Sequence, residues 1–109
     1  MLLVEDDASV RLLCRVNLEL EDIRVREAAS IEEARAAVEA DRPAVVFLDV
    51  HLNGESSEVL LAELREAGIP VVVVTGSADI AHYRDLADGV LSKPFEPGAL
   101  IDTARKFVG

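Results

Sequence analysis

Several residues that could hold a metal ion and a phosphoryl group follow the short apolar segments of this chain, where strands would end. In chain order they are Glu5, Asp6, Asp7, Asp49, Thr75 and Lys93. Three or four carboxylates in one crevice repel each other, so they stay ionised together only when a cation lies among them. Oxygen ligands without a partnering Cys or His favour Mg²⁺ over Zn²⁺. Because Lys93 and Thr75 add an ammonium and a hydroxyl that phosphoryl oxygens can bind, the set predicts a phosphoryl-transfer site.

Asp49 is the predicted nucleophile of this site. It ends the apolar run 44–48, which is typical of a central buried strand, so its carboxylate would be held rigidly. An aspartate can attack phosphorus to form an acyl phosphate, and catalysis would come mostly from alignment and from neutralisation of charge by the metal and the lysine. Such a reaction requires no general base.

Five apolar segments that alternate with helical segments are the elements that would position these residues. The predicted strands are residues 2–4, 23–28, 44–49, 71–75 and 89–92. Alternation with short connections predicts an α/β fold in which helices cover both faces of a parallel sheet. Five such units favour the flavodoxin-like, doubly wound strand order 2-1-3-4-5, whose ligand crevice lies beyond the ends of the first and third strands. The site residues would therefore meet at one edge of the sheet.

The helical segments have the period of an α-helix, and their ends carry start and stop signals. Stripes with helical periodicity are predicted at Val10, Leu13, Val16, Asn17 and Leu20, and at Ile31, Ala34 and Val38. Ser30 followed by Glu33 forms a capping box. Gly68 would end the third helix, and Pro97 lies near the start of the last. The segment 80–86 has the weakest helical pattern.

The composition is that of one compact, acidic domain. The 109 residues, half of them hydrophobic, suit a single domain over residues 1–109 with a core that needs no disulfide. The net charge of −10, from 11 basic and 21 acidic residues, argues against direct binding of nucleic acid or an anionic membrane. Cys14, the single cysteine, is a predicted core residue. Because no segment is leader-like and no apolar stretch approaches about 20 residues, the sequence predicts a cytoplasmic protein.

Four stretches of the sequence resemble the motifs of receiver domains in two-component response regulators. They are residues 2–7, 45–49, 71–76 and 93–95, in the order and near the spacing of that family. The likeness runs across essentially the whole chain. The resemblance implies that Asp49 is the phosphoacceptor, that Asp6 binds Mg²⁺ directly and that Glu5 acts on the ion through water. It also implies a metal ligand from the backbone carbonyl of His51.

The resemblance extends to the residues that would surround the phosphoryl group. It implies that Lys93 contacts the phosphoryl group and that Thr75 makes a contact that forms on phosphorylation. The bond between Lys93 and Pro94 is often cis in this family, and a cis bond would direct the lysine back into the pocket. Asp7 is expected to be a bystander.

This chain departs from the family pattern at three positions. Receiver domains commonly have a proline four residues after the phosphoacceptor and a glycine eight residues after it, whereas this chain has Asn53 and Ser57. The loop after the third strand is therefore expected to have a different shape. Val90 stands where the family tends to have an aromatic residue or histidine that turns inward as Thr75 moves. His51 and Ser77 occupy places that influence how water reaches the acyl phosphate.

The function implied is that of a phosphorylatable switch. It would catalyse its own phosphorylation at Asp49, and its dephosphorylation, without being a turnover enzyme. The donor would be a phosphohistidine on a histidine kinase or a histidine phosphotransfer protein. The signal would pass to a downstream protein or output domain through the last helices and strand, a surface that would also suit a homodimer.

Three other functions compete with this interpretation. A phosphorylation-independent interaction module with a receiver fold is the main alternative, because Val90 and the altered loop weaken the switch. A haloacid-dehalogenase-like phosphatase usually has a second acid two residues after its nucleophile, where this chain has His51. A flavodoxin would have to bind phosphate in its first strand–helix loop, and the acidic residues there would repel it.

Overall fold

The computed structural model describes residues 1–108, apart from the side chain of Ser77, and its strands and helices alternate along the chain. The strands are β1 (Leu2–Val4), β2 (Arg26–Ala28), β3 (Val46–Asp49), β4 (His51–Leu52), β5 (Glu55–Ser56), β6 (Val71–Gly76) and β7 (Gly89–Lys93). The helices are α1 (Ala8–Glu19), α2 (Ile31–Ala40), α3 (Glu58–Glu66), α4 (Ile80–Tyr83) and α5 (Pro97–Arg105), with a 3₁₀ turn at Ser77–Asp79 before α4.

Five of these strands form one parallel sheet in the order β2-β1-β3-β6-β7. Because β4 and β5 pair only with each other, this order is the predicted 2-1-3-4-5, and the flavodoxin-like fold is confirmed. β1 and β3 are buried along their whole length, and β6 is buried up to Thr75. Continuous apolar strands of this kind require cover on both faces of the sheet.

The helices provide that cover, and alternate residues of each central strand pack on opposite faces. Val46 and Leu48 belong to a core that includes buried residues of α2, α3 and α4. Phe47 packs in a second core together with buried residues of α1 and α5. The sheet therefore separates two hydrophobic cores.

The buried face of α1 differs from the predicted stripe. Cys14 and Leu18 are buried, which confirms Cys14 as a core residue, whereas Leu13 is 59% exposed and Leu20 is 77% exposed. Val16 is also exposed. Both stripes have helical spacing, so periodicity alone could not separate them; the attachment of α1 to the sheet decides which stripe is covered.

The predicted helix ends are confirmed. The Glu33 amide donates to Ser30 Oγ at 3.1 Å, and the Ala29 amide donates to Glu33 Oε1 at 3.2 Å, one residue before the usual partner. Gly68 follows α3 with a φ of 76°, a left-handed conformation that glycine adopts without strain. Pro97 is the first residue of α5. The second predicted stripe, on α2, packs against the core.

Several element bounds differ from the prediction, and one hairpin was not predicted. β2 begins at Arg26 rather than at residue 23 because its partner β1 is only three residues long. β3 begins at Val46 rather than at residue 44, and the weak segment 80–86 contains only the short helix α4. The hairpin of β4 and β5 turns at Asn53 and Gly54, whose φ angles of 52° and 80° are typical of an Asn-Gly turn. Within residues 1–108, no helix is long and apolar enough to cross a membrane.

Candidate functional site

Three carboxylates meet at the carboxyl edge of the sheet, beyond β1 and β3. These strands are parallel neighbours, and Val4 is paired with Leu48, so the residues that follow each of them lie side by side. Glu5, Asp6 and Asp49 can each offer an oxygen within 4.8 Å of the other two. An all-oxygen set of this size suits Mg²⁺, which takes one or two carboxylates and completes its octahedron with water and phosphate.

Lys93 brings a positive charge to this cluster from the end of β7. Its Nζ donates to Glu5 Oε1 at 2.7 Å and to Asp49 Oδ2 at 3.1 Å. The lysine therefore spans the edge of the sheet as far as β1. The peptide bond between Lys93 and Pro94 is cis, as predicted.

The carboxylates of the cluster differ in their electrostatic environment. Burial raises the pKa of Glu5, and the hydrogen bond from Lys93 opposes that shift. The backbone amide of Asn53 holds the pKa of Asp6 below its usual value. Burial acts most strongly on the pKa of Lys93 and would lower it, but the bonds to Glu5 and Asp49 together raise it. The lysine is thus cationic at neutral pH, and a further cation would favour the ionised form of buried Glu5.

Thr75 lies at the same edge, in β6 between the ends of β3 and β7. It is 2% exposed, and its hydroxyl makes no hydrogen bond to the residues that the structure describes. A buried hydroxyl without a partner costs free energy, so such groups are rare and call for an explanation. A phosphoryl oxygen on Asp49 would be a suitable acceptor.

The remaining predicted residues have varied surroundings. Asp7 caps α1, since its carboxylate accepts from the amides of Ser9 and Val10, and its expected role as a bystander to the metal stays a prediction. His51 is exposed, and its backbone amide donates to Asp49 Oδ1 at 3.2 Å, while a metal-binding role for its carbonyl stays a prediction. Val90 packs against the core shared with α2 and α3. The side chain of Ser77 lies outside the described part of the chain.

Two residues that hold the site were noticed in the sequence only as departures from the family pattern. The Asn53 amide donates to Asp6 Oδ2 at 2.8 Å, and its Nδ2 donates to the Ala29 carbonyl at 3.2 Å. Ser57 Oγ donates to the backbone carbonyl of Asp49 at 2.7 Å. The Asn-Gly dipeptide could have indicated the turn, but no sequence signal indicated either contact with the site.

A polar contact joins α3 to α4 on one side of the site. Glu58 Oε1 accepts from the Tyr83 hydroxyl at 3.1 Å and lies 2.9 Å from His82 Nε2. Tyr83 is buried, and its ring meets that of His82 edge to face. The contact ties the segment that follows Thr75 to the helix that follows the Asp49 loop.

Known proteins of similar sequence include two that are named transcriptional regulatory proteins. The transcriptional regulatory protein DctD of C4-dicarboxylate transport, from Pseudomonas aeruginosa, is 34% identical over 97% of this chain and 24% of its own length. The KDP operon transcriptional regulatory protein KdpE of Escherichia coli is 30% identical over 92% of this chain and 47% of its own length. The chain thus spans about a quarter of the length of DctD and about half of the length of KdpE.

A solved structure of a receiver domain has the same fold as this chain. The receiver domain of NtrX from Brucella abortus superposes with a TM-score of 0.89 at 30% identity, covering 98% of this chain and 96% of that one. The sequence profile of the response regulator receiver domain matches residues 1–105. From its fold, its acidic edge and this match, the chain belongs to the receiver domains of two-component response regulators.

Proposed function

We propose that Asp49 accepts a phosphoryl group from a phosphohistidine on a histidine kinase or histidine phosphotransfer protein, in the presence of Mg²⁺. The observation that carries this proposal is the geometry of the cluster: three carboxylates within 4.8 Å of each other and a lysine bonded to two of them. Ion pairs that serve stability alone rarely crowd three acids around one base, because their repulsion costs free energy.

Each residue of the site has a distinct role in phosphoryl transfer. Asp6 and Asp49 would hold Mg²⁺, with Glu5 acting through water, and the ion would neutralise carboxylate charge and polarise a phosphoryl oxygen. An Asp49 oxygen attacks phosphorus while the bond from phosphorus to the donor imidazole nitrogen breaks, and that nitrogen takes up a proton. Lys93 then contacts the phosphoryl oxygens, because it already lies 3.1 Å from Asp49 Oδ2.

Thr75 would couple this chemistry to a change in shape. Its buried hydroxyl lacks a partner in the described part of the chain, so a phosphoryl oxygen on Asp49 gives it an acceptor and draws the end of β6 toward the site. Val90 has no polar group to follow that movement, so in this chain the change passes through the segment that leads into α4. Tuning of the acyl phosphate lifetime by His51 and Ser77 is part of the same proposal.

The phosphorylation proposal is tested by mass. The protein is incubated with Mg²⁺ and a small phosphodonor, and its intact mass should increase by one phosphoryl group. Asp49→Asn should show no increase. Asp7→Asn is the matched control, because it also removes one carboxylate yet retains a good helix cap, and it should be modified like the unchanged protein. Absence of an adduct, or an equal adduct on Asp49→Asn, contradicts the proposal.

The switch is tested separately from the chemistry. Amide exchange measured with and without a phosphoryl mimic should change between Thr75 and Leu91. A flat difference map would favour the phosphorylation-independent module. The output is proposed to be a downstream protein or an output domain, reached through the last helices and strand, and the two curated relatives above are transcriptional regulators by name. A homodimer through that surface, the lack of nucleic-acid binding and a single domain over residues 1–109 stay predictions.

A further inference from the structure

Ser57 makes a contact with the phosphoacceptor that its place in the chain does not explain. It lies just before α3, is 1% exposed and donates through Oγ to the Asp49 carbonyl at 2.7 Å. Its backbone amide donates to the Val50 carbonyl at 2.9 Å. Two hydrogen bonds therefore join residue 57 to the segment that carries Asp49, and only the first of them depends on the side chain.

A serine directly before a helix usually caps that helix. Its hydroxyl accepts a hydrogen bond from an amide in the first turn and so caps the helix. Ser57 makes no such bond, although it occupies the cap position of α3. The hydroxyl is instead committed as a donor to Asp49. Alanine or glycine at this position would retain the backbone bond to Val50 and lose the bond to the phosphoacceptor.

The contact completes a set of restraints on Asp49. Oδ1 accepts from the His51 amide at 3.2 Å and Oδ2 accepts from Lys93 at 3.1 Å. The Ser57 hydroxyl holds the carbonyl of the same residue and thereby fixes the plane of the peptide that leads toward His51. A fixed peptide plane restrains the main chain from which the Asp49 side chain projects, and it helps to place the His51 amide that binds the carboxylate.

We infer that Ser57 is a positioning residue for the phosphoryl acceptor: its hydroxyl holds the Asp49 backbone so that the carboxylate stays aligned for in-line attack. The inference rests on the proposed function for its consequence, but the restraint itself does not. It also assigns a role to a serine that stands where the family commonly has glycine.

The kinetic test compares Ser57→Ala with Ser30→Ala. The second variant removes the α2 cap, so it also loses one serine hydrogen bond but leaves the site intact. Misplacing reacting groups by an ångström can cost about a hundredfold in rate, so we expect Ser57→Ala to lower the maximal rate of phosphorylation about tenfold. The phosphodonor concentration at half-maximal rate should not change, and Ser30→Ala should match the unchanged protein in both quantities. Equal maximal rates for the two variants overturn the inference.

A second measurement does not depend on phosphorylation. Because the His51 amide donates to Asp49 Oδ1, its hydrogen exchange reports whether the carboxylate is held. Exchange at His51 should be about tenfold faster in Ser57→Ala than in Ser30→Ala, beyond any difference in global stability. If the unchanged protein forms no adduct, the proposed function fails while this comparison still decides the role of Ser57. Equal exchange in the two variants overturns that role.

Discussion

Replacing Lys93 by methionine measures how much the repulsion among the carboxylates of the acidic cluster destabilises the folded state. Methionine retains much of the length and the apolar stem but removes the ammonium that donates to Glu5 at 2.7 Å and to Asp49 at 3.1 Å. The three carboxylates, which lie within 4.8 Å of each other, then lose the only base that the structure shows bonded to them among residues 1–108. Without the ammonium, nothing offsets the mutual repulsion of the carboxylates and the burial of their charge, so the folded state becomes less stable.

The size of the loss follows from the exposure of the lysine. Removing one partner of a fully buried ion pair costs about 3–5 kcal/mol. The Lys93 side chain is 34% exposed, so water screens part of the interaction and we expect about 1–2 kcal/mol. For a domain of this size that corresponds to a melting temperature about 5–10 °C lower.

The loss should depend on pH in a defined direction. Glu5 has a folded-state pKa above its ordinary 4.5, so its ionisation costs stability as the pH rises through that folded-state value. Lys93 opposes the shift, and without it the folded-state pKa of Glu5 rises further and the cost at neutral pH grows. Lys93 itself has a raised pKa, so its contribution is fully present below 10.5 and is lost only at higher pH. The deficit should therefore be large at neutral pH and shrink in acid.

Thermal and urea unfolding of Lys93→Met at about pH 7.5 and about pH 4, with and without Mg²⁺, measures these effects. Lys106→Met is the matched control, since it removes the same charge from an exposed position. Added Mg²⁺ should restore more stability to Lys93→Met than to the unchanged protein, because it supplies positive charge where the lysine is missing. A deficit that is equal at both pH values, or equal to that of Lys106→Met, would refute the reasoning.

Three further predictions concern the switch region and α1. Burial and the contact with Glu58 raise the pKa of Tyr83, the single tyrosine, to about 12, so the stability that it contributes is full below pH 10.0 and is lost as the pH rises through about 12. Ultraviolet absorbance should show that Tyr83 ionises only at this high pH, and Glu58→Gln should lower the pH at which it ionises. Thr75→Val removes a buried hydroxyl without a partner within the described residues, so urea unfolding should show equal or higher stability, by up to about 1 kcal/mol, while the amide-exchange response to a phosphoryl mimic is lost. Leu13→Gln, at an exposed position of α1, should change the free energy of unfolding by less than about 0.5 kcal/mol, whereas Leu18→Ala, at a buried position, should lower it by about 2–5 kcal/mol. A larger loss of stability in Leu13→Gln than in Leu18→Ala would contradict the observed burial of α1.

The order of the sheet and the position of the site could be predicted because they depend on patterns within short segments. The apolar runs of β1, β3 and β6 are buried on both faces, and strands of that kind belong to the middle of a parallel sheet. Parallel strands bring their carboxyl ends to one edge, so Glu5 and Asp49 had to be neighbours once the strand order was known.

Some features could not be predicted because two readings fitted equally well. In α1 the stripe through Leu13 and Leu20 has the same helical spacing as the stripe through Cys14 and Leu18, and the docking of the helix on the sheet covers only the second.

The Asn53 turn was within reach of prediction, since an Asn-Gly dipeptide is the strongest short signal of a hairpin. It was missed because the flanking strands are only two residues long.

The sequence by itself determined which residues could take part in phosphoryl chemistry and at which edge of the fold they would lie. Only the tertiary structure decided which of them touch: Lys93 bonds to Glu5 across 88 positions of the chain, and the Asn53 amide bonds to Asp6 across 47. Ser57 reaches the Asp49 carbonyl only because the loop between them folds back on the strand. Local periodicity specifies strands and helices, but distances between side chains depend on how whole elements pack, and no single segment contains that information.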